Sequence, residues 1–163
     1  MKKALLLALA LIAAGCSSSN LTPITTVNPP SPPITAIAMA PSGGILADAV
    51  GISLLNYGVT VFDTQQTANL MLRLNLDEIE ILSPQNLSRL YENGVEAVMF
   101  VSVIGFPNEP EGASVRIIHA LDGTLVGGVA WQSADGWWSG AATGLVEASS
   151  EIAEELATQM GWL

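Results

Sequence analysis

One cysteine and one histidine stand in the 163 residues, and that scarcity excludes much chemistry before any motif is read. A lone Cys can form neither an internal disulfide framework nor a Cys-based zinc centre. A lone His leaves no material for a His-rich site, so no metal and no cofactor is expected. Positive charge is scarce as well: five Lys and Arg stand against fifteen Asp and Glu, a formal charge of −10. Nucleic acid needs clustered cations along its phosphates, and it is therefore excluded as a partner. Charged residues make up 12% of the chain against 50% apolar ones, a composition that buries a core instead of staying disordered. The length points to one domain of ordinary size.

The N-terminus is read apart from the fold. Lys2 and Lys3 precede an unbroken apolar run of eleven residues, Ala4 to Ala14. As a helix such a run rises only about 16 Å, too short for roughly 30 Å of hydrocarbon. It has the form of a signal-peptide core. Its end, Ile12-Ala13-Ala14-Gly15-Cys16, resembles a bacterial lipobox, with Ala13 where Leu is commoner. The resemblance implies that residues 1–15 are removed and that Cys16 becomes the first mature residue, carrying diacylglycerol on its sulfur. Lipoproteins of this kind carry three acyl chains, and each buried CH₂ adds about 0.8 kcal/mol of membrane affinity. Ser17 follows where an Asp would be an inner-membrane signal, which implies the periplasmic face of the outer membrane. The mature chain keeps only Arg73, Arg89 and Arg116, so its charge becomes 3 − 15 = −12.

Residues 16–33 comprise the lipidated Cys and a tether. From Ser17 to Pro33 the chain holds five of the nine prolines and no charge, and the prolines argue against an edge strand. The domain is expected over 34–163. Ile34 to Ala40 reads as a strand, Pro41 to Gly44 as a turn, and Ile45 to Asn56 as a helix with Ile45, Ala49, Ile52 and Leu55 on its core face. Gly58 stops it. Val59 to Phe62 is a second strand, and Asp63 with Gln66 forms a capping box for a helix to about Leu74. Leu76 to Leu82 is either an irregular strand or a loop. Ser83-Pro84 opens a helix that ends near Asn93-Gly94. The apolar run Ala97 to Ile104 suits a strand covered on both faces. Pro107 to Gly112 reads as an acidic loop. Strands Ala113 to Ala120 and Thr124 to Trp131 flank Asp122-Gly123, a hairpin signal. The last helix turns Leu145, Ala148, Ile152 and Leu156 inward, with Glu147, Glu151, Glu154 and Glu155 mostly away. The fold class is α/β: a single mixed-sheet domain of order β-α-β-α-α-β-β-β-α, with helices packed on the sheet.

That order carries a resemblance. IAMA, a Gly-bearing turn, LADAVGISLLNYG and VTVFD are similar to the start of the curli-secretion-channel lipoprotein family. NGVEAVMFVSV and VRIIHALDGTLVGGVAW resemble its later helix–strand junction and its hairpin. Small relatives include penicillin-binding-protein activators and a Pel exopolysaccharide-export lipoprotein. The likeness implies a non-enzymatic, envelope-anchored subunit that self-associates or docks on an envelope protein in secretion or polysaccharide export. The alternative is a module that activates a periplasmic peptidoglycan synthase. The curli channel's membrane-spanning hairpins have no counterpart here, because no pair of alternating ten-residue segments is apparent.

No residue is expected to be catalytic. His119 shares a strand face with Val115 and Ile117 and is expected half-buried against a bonding neighbour; no nucleophile motif accompanies it. Asp77, Glu78 and Glu80, and Glu109 and Glu111, lack calcium-loop spacing and read as solvated loops. The tryptophans say more. Trp131 ends a strand and belongs to the core. Trp137 and Trp138 stand in the polar segment QSADGWWSG, where folding gives little reason for two large rings. They are the candidates for contact with the membrane interface or with a neighbouring subunit.

Overall fold

In the computed structural model, the described residues are 19–24, 30–107, 109–133 and 141–163. They form β1 (Asn20–Pro23), β2 (Ala36–Met39), α1 (Gly44–Leu54), β3 (Thr60–Phe62), α2 (Thr64–Leu74), α3 (Pro84–Glu92), β4 (Ala97–Phe106), β5 (Glu109–His119), β6 (Leu125–Gln132) and α4 (Ala141–Met160). The strands make one mixed sheet of order β1-β6-β5-β4-β2-β3, with β2 parallel to β3 and β4 and the remaining pairs antiparallel. The expected mixed-sheet α/β domain is what the chain forms, with one additional strand at its start.

Local chemistry explains most boundaries. Asp63 Oδ1 accepts the Gln66 N–H at 2.6 Å while Gln66 Oε1 accepts the Asp63 N–H at 3.1 Å, a complete capping box at the start of α2. Ser83 caps α3 with Pro84 at its first position. Gly58 ends the helical stretch after α1 with φ 77°, a left-handed conformation that costs a residue without Cβ nothing. Gly123, at φ 73°, closes the β5–β6 turn that Asp122-Gly123 signals.

Two layers of helix sandwich part of this sheet. On one face, α1 and α4 bury Leu46, Val50, Leu54, Ile152 and Leu156 against Ile37, Met99, Val115, Ile117 and Val129. On the other, α2 and α3 bury Leu70, Met71, Leu87 and Leu90 against Ala38, Ala40, Val98 and Ala120. The C-terminal end is pinned across the domain, because Trp162 Nε1 donates to the Ile34 carbonyl at 2.7 Å.

Four expectations need correction. Asn20–Pro23 lies inside the expected tether yet is an edge strand, antiparallel to β6. Pro23 is tolerated because it ends the strand at the sheet's border, where its missing N–H breaks no interior ladder. The expected acidic loop from Pro107 to Gly112 is mostly strand: β4 and β5 continue as a hairpin to Phe106 opposite Glu109, with a register shift at Ile104/Gly105. Ten- and eleven-residue strands are therefore present, but their inner halves are covered on both faces, Met99 by one helical layer and Val98 by the other. The core face of α1 is out of phase with expectation. Leu46, Ala47, Val50 and Leu54 are buried, whereas Ile45, Ile52 and Leu55 are more than half exposed. Lastly, Glu151 does not turn away: its Oε2 accepts the Trp131 indole N–H at 2.6 Å and the Ser19 hydroxyl. Leu76 to Leu82, open between strand and loop, is a run of turns.

Candidate interaction surface

The helices of the second layer stop short. α2 and α3 cover β2 and the first half of β4, and past them the same face of β4, β5, β6 and β1 carries no helix among the described residues. The pairing register names the residues of that bare half-sheet in rows. Ile104, Gly112, Gln132 and Asn20 form one; Ser102, Ser114, Ala130 and Thr22 form the next; Phe100, Arg116 and Gly128 form a third. The side chains are small and mostly polar, and Ser102, Ala130, Gln132, Asn20, Thr22 and Arg116 are exposed. Strands buried on one side only alternate in this manner, with polar residues toward water. A half-open groove of about 370 Å³ runs across it, bounded by Asn20, Thr22, Ile104, Ser114 and Gln132.

The floor of this groove is held from behind. Trp131, 4% exposed, points to the opposite face and is fixed by its bond to Glu151 on α4. Three residues back along β6, Gln159 reaches over from α4. Its Oε1 accepts the Gly128 N–H at 3.0 Å, and its Nε2 donates to the Gly128 carbonyl at 3.1 Å. A side-chain amide thus meets β6 where β1 ends: it supplies the acceptor that the buried Gly128 N–H requires and a second donor to its carbonyl, beside the Ile24 N–H.

The three cations fall on one side of the sheet, beside acids of the same layer, Glu92 on α3 and Asp77, Glu78 and Glu80 between α2 and α3. Arg73 on α2, Arg89 on α3 and Arg116 on β5 all lie on the side of the bare half, and none forms an ion pair with another described residue. The opposite side, α1 and α4, carries Asp48, Glu147, Glu151, Glu154 and Glu155 and no Lys or Arg. An exposed, unpaired guanidinium among small residues is a strong anchor for a carboxylate, because it offers two parallel N–H donors.

Cys16, Trp137 and Trp138 lie outside the described residues. His119 stands where expected, 21% exposed, with Nδ1 3.1 Å from Asp122 Oδ1. Asp122 is drawn below the ordinary carboxylate range, first by the hydroxyl and backbone N–H of Thr124, then by His119. The Thr124 hydroxyl and N–H both donate to this carboxylate, so the group braces the turn. The acidic cluster near residue 78 is likewise spent on backbone: Asp77 Oδ1 accepts the Ile79 N–H at 2.8 Å and Glu78 Oε1 the Ser42 N–H at 2.7 Å. Among the described residues no group of three His, Cys, Asp or Glu side chains is placed to hold a metal, and no helix is long and apolar enough to cross a membrane. The bare half-sheet itself escaped the sequence reading. Its one signal was the alternation of Ser102, Ser114, Arg116 and Gln132 with apolar neighbours, which marks an open face without saying that no helix covers it.

A scan against protein-family models finds no match, and neither does a sequence search of curated proteins. Solved structures do match. The PelC dodecamer from Paraburkholderia phytofirmans is similar with a TM-score of 0.54 at 11% identity, over 88% of this chain and 98% of that one. The lipoprotein GNA1162 from Neisseria meningitidis is similar with a TM-score of 0.52 at 17% identity, over 76% of this chain and 96% of that one. The chain thus has the fold of these two bacterial proteins, one of them solved as a twelve-subunit assembly and the other a lipoprotein.

Proposed function

We propose that the protein is a non-enzymatic lipoprotein of the outer membrane, anchored through Cys16 on the periplasmic face, that self-assembles as an accessory subunit of a secretion or polysaccharide-export machine. The observation that carries the reading is the bare half-sheet with the exposed Arg116 on it, set against the acidic helix α4 on the opposite side. The face is polar, so a partner seats on it through Arg116 and hydrogen bonds and not through apolar burial. Arg116 on one face and the glutamates of α4 on the other favour head-to-tail association, which closes into a ring when the rotation permits. The fold shared with PelC, itself a dodecamer, and the lipobox-like Ile12 to Cys16 support the same reading.

The experiment is light scattering on the detergent-extracted mature protein. Assembly is expected for the wild type, weakening with salt, and Arg116→Glu should shift it toward the monomer. A wild type that stays monomeric up to high concentration refutes self-assembly. If that monomer also accelerates a peptidoglycan synthase, the activator reading takes its place.

A further inference from the structure

We infer that the tip of the β4–β5 hairpin, with Ile104 and Phe106, rests in the headgroup region of the bilayer, together with the first turns of α4. The inference rests on the reading of Cys16 as the lipid-bearing residue and goes beyond it by orienting the domain.

The argument begins with chain length. Asn20 opens β1 four residues after Cys16. Four residues span at most about 14 Å, so a lipid on Cys16 holds the Asn20 end of the sheet close to the membrane. The register shows what else lies at that end. Asn20 is level with Gln132, Gly112 and Ile104. The hairpin continues past this row through Gly105 opposite Pro110 and Phe106 opposite Glu109. Two further residue pairs advance it by about 7 Å. The tip therefore projects from the end to which the anchor is tied.

The tip exposes two large apolar side chains. Ile104 is 67% exposed and Phe106 70%. α4 points the same way. Gln159 is level with Gly128 and Glu151 with Trp131, so the helix rises toward its N-terminus along the anchored end. From residue 150 back to Ala141 it runs about 15 Å further. Ala141 to Val146 carries no charge, and Val146 is 69% exposed. The opposite end presents Asp122 and Thr124 around the β5–β6 turn, beside one exposed apolar residue of that turn, Leu121.

Chemistry also selects the surface. Glu109 and Glu111 stand in the same hairpin, and the mature chain is strongly acidic. Anionic headgroups repel such a tip, whereas zwitterionic ones accept Ile and Phe at shallow depth, about 5–10 Å into the interface. The partner is a zwitterionic lipid surface.

The test uses the mature, lipidated protein, whose Cys16 sulfur is occupied, so that an introduced Cys is the sole free thiol. Phe106→Cys, or Ile104→Cys in a second variant, is labelled with an environment-sensitive fluorophore; Leu121→Cys, 61% exposed near the far turn, is the control. In phosphatidylethanolamine–phosphatidylcholine vesicles the tip labels should shift blue and be quenched by bromolipid about threefold or more above the control. Replacing a third of the lipid by phosphatidylglycerol should reduce that quenching. Equal accessibility of tip and control labels to aqueous iodide overturns the inference. So does a blue shift without bromolipid quenching, which would put the tip against protein. Maleimide labelling of Cys16 in the unsubstituted protein would overturn the anchor, and the orientation with it; vesicle-bound protein with a wet tip would overturn the orientation alone.

Discussion

Gln159→Glu tests the idea that a side-chain amide completes the sheet edge. The substitution keeps length and shape. It retains an acceptor for the Gly128 N–H but loses the donor that reaches the Gly128 carbonyl at 3.1 Å and Glu155 Oε1 at 3.0 Å. The carbonyl is not orphaned, because the Ile24 N–H still reaches it at 2.9 Å, so that loss sits at the low end of about 0.5–1.5 kcal/mol. The half-exposed bond to Glu155 adds a few tenths, and the new like-charge pair one helical turn apart costs roughly 0.3–0.5 kcal/mol. Setting a carboxylate against a buried carbonyl adds the rest, for a total near 2 kcal/mol. With a urea slope of about 2 kcal/mol per molar, the midpoint should fall by about 1 M at unchanged slope. The acid form can donate to the Gly128 carbonyl, so the new carboxyl has a raised folded-state pKa. The loss is then full above that pKa and disappears below the unfolded-state one. A midpoint shift under about 0.3 M, or a loss that persists in acid, would refute the reasoning.

Three further outcomes are expected. Asp122→Ala should cost under about 1 kcal/mol, since the carboxylate is 53% exposed and screened. Its folded pKa is lowered, so the contribution is present above the unfolded-state pKa and is lost as pH falls through the folded one; thermal melts across pH should converge in acid. Cys16→Ser should release the protein from membranes or accumulate an uncleaved precursor, read by fractionation and intact mass. Replacing Trp137 and Trp138 together with Ser should leave the melting temperature nearly unchanged while weakening assembly or membrane contact; a loss of several kcal/mol would put both rings in the core.

What could be read in advance followed local chemistry. Asp63 with Gln66, Ser83-Pro84, Gly58 and Asp122-Gly123 act within a few residues, so their effects survive any tertiary arrangement. The phase of α1 was not legible because apolar residues ring it: Leu46, Val50 and Leu54 are no more apolar than Ile45, Ile52 and Leu55, and only the sheet decides which set is covered. β1 was hidden by its prolines, since nothing in Asn20 to Pro23 alone reveals that β6 leaves an open edge for it. Pro110 and two glutamates disguised the outer half of β5 in the same way. Glu151 and Gln159 looked like solvent-facing helix positions, and their partners Trp131 and Gly128 are twenty and thirty-one residues away in sequence. The bare half-sheet is defined by where helices are not, which no pattern within a strand records.

The two borders of the sheet bear on how the protein survives its own crowding. Proteins tethered to a bilayer meet one another far more often than in free solution, and exposed strand edges are the sites where such encounters turn into irreversible cross-pairing. Here one border is a strand of only three residues, Thr60–Phe62. The other, β1, is four residues long and ends at a proline, and beyond it Gln159 already occupies the hydrogen-bonding groups of Gly128. Among the described residues neither border offers a long ladder for amyloid-like growth. In the proposed assembly, contacts between copies would thereby rely on side chains, Arg116 and the glutamates of α4, and not on backbone pairing.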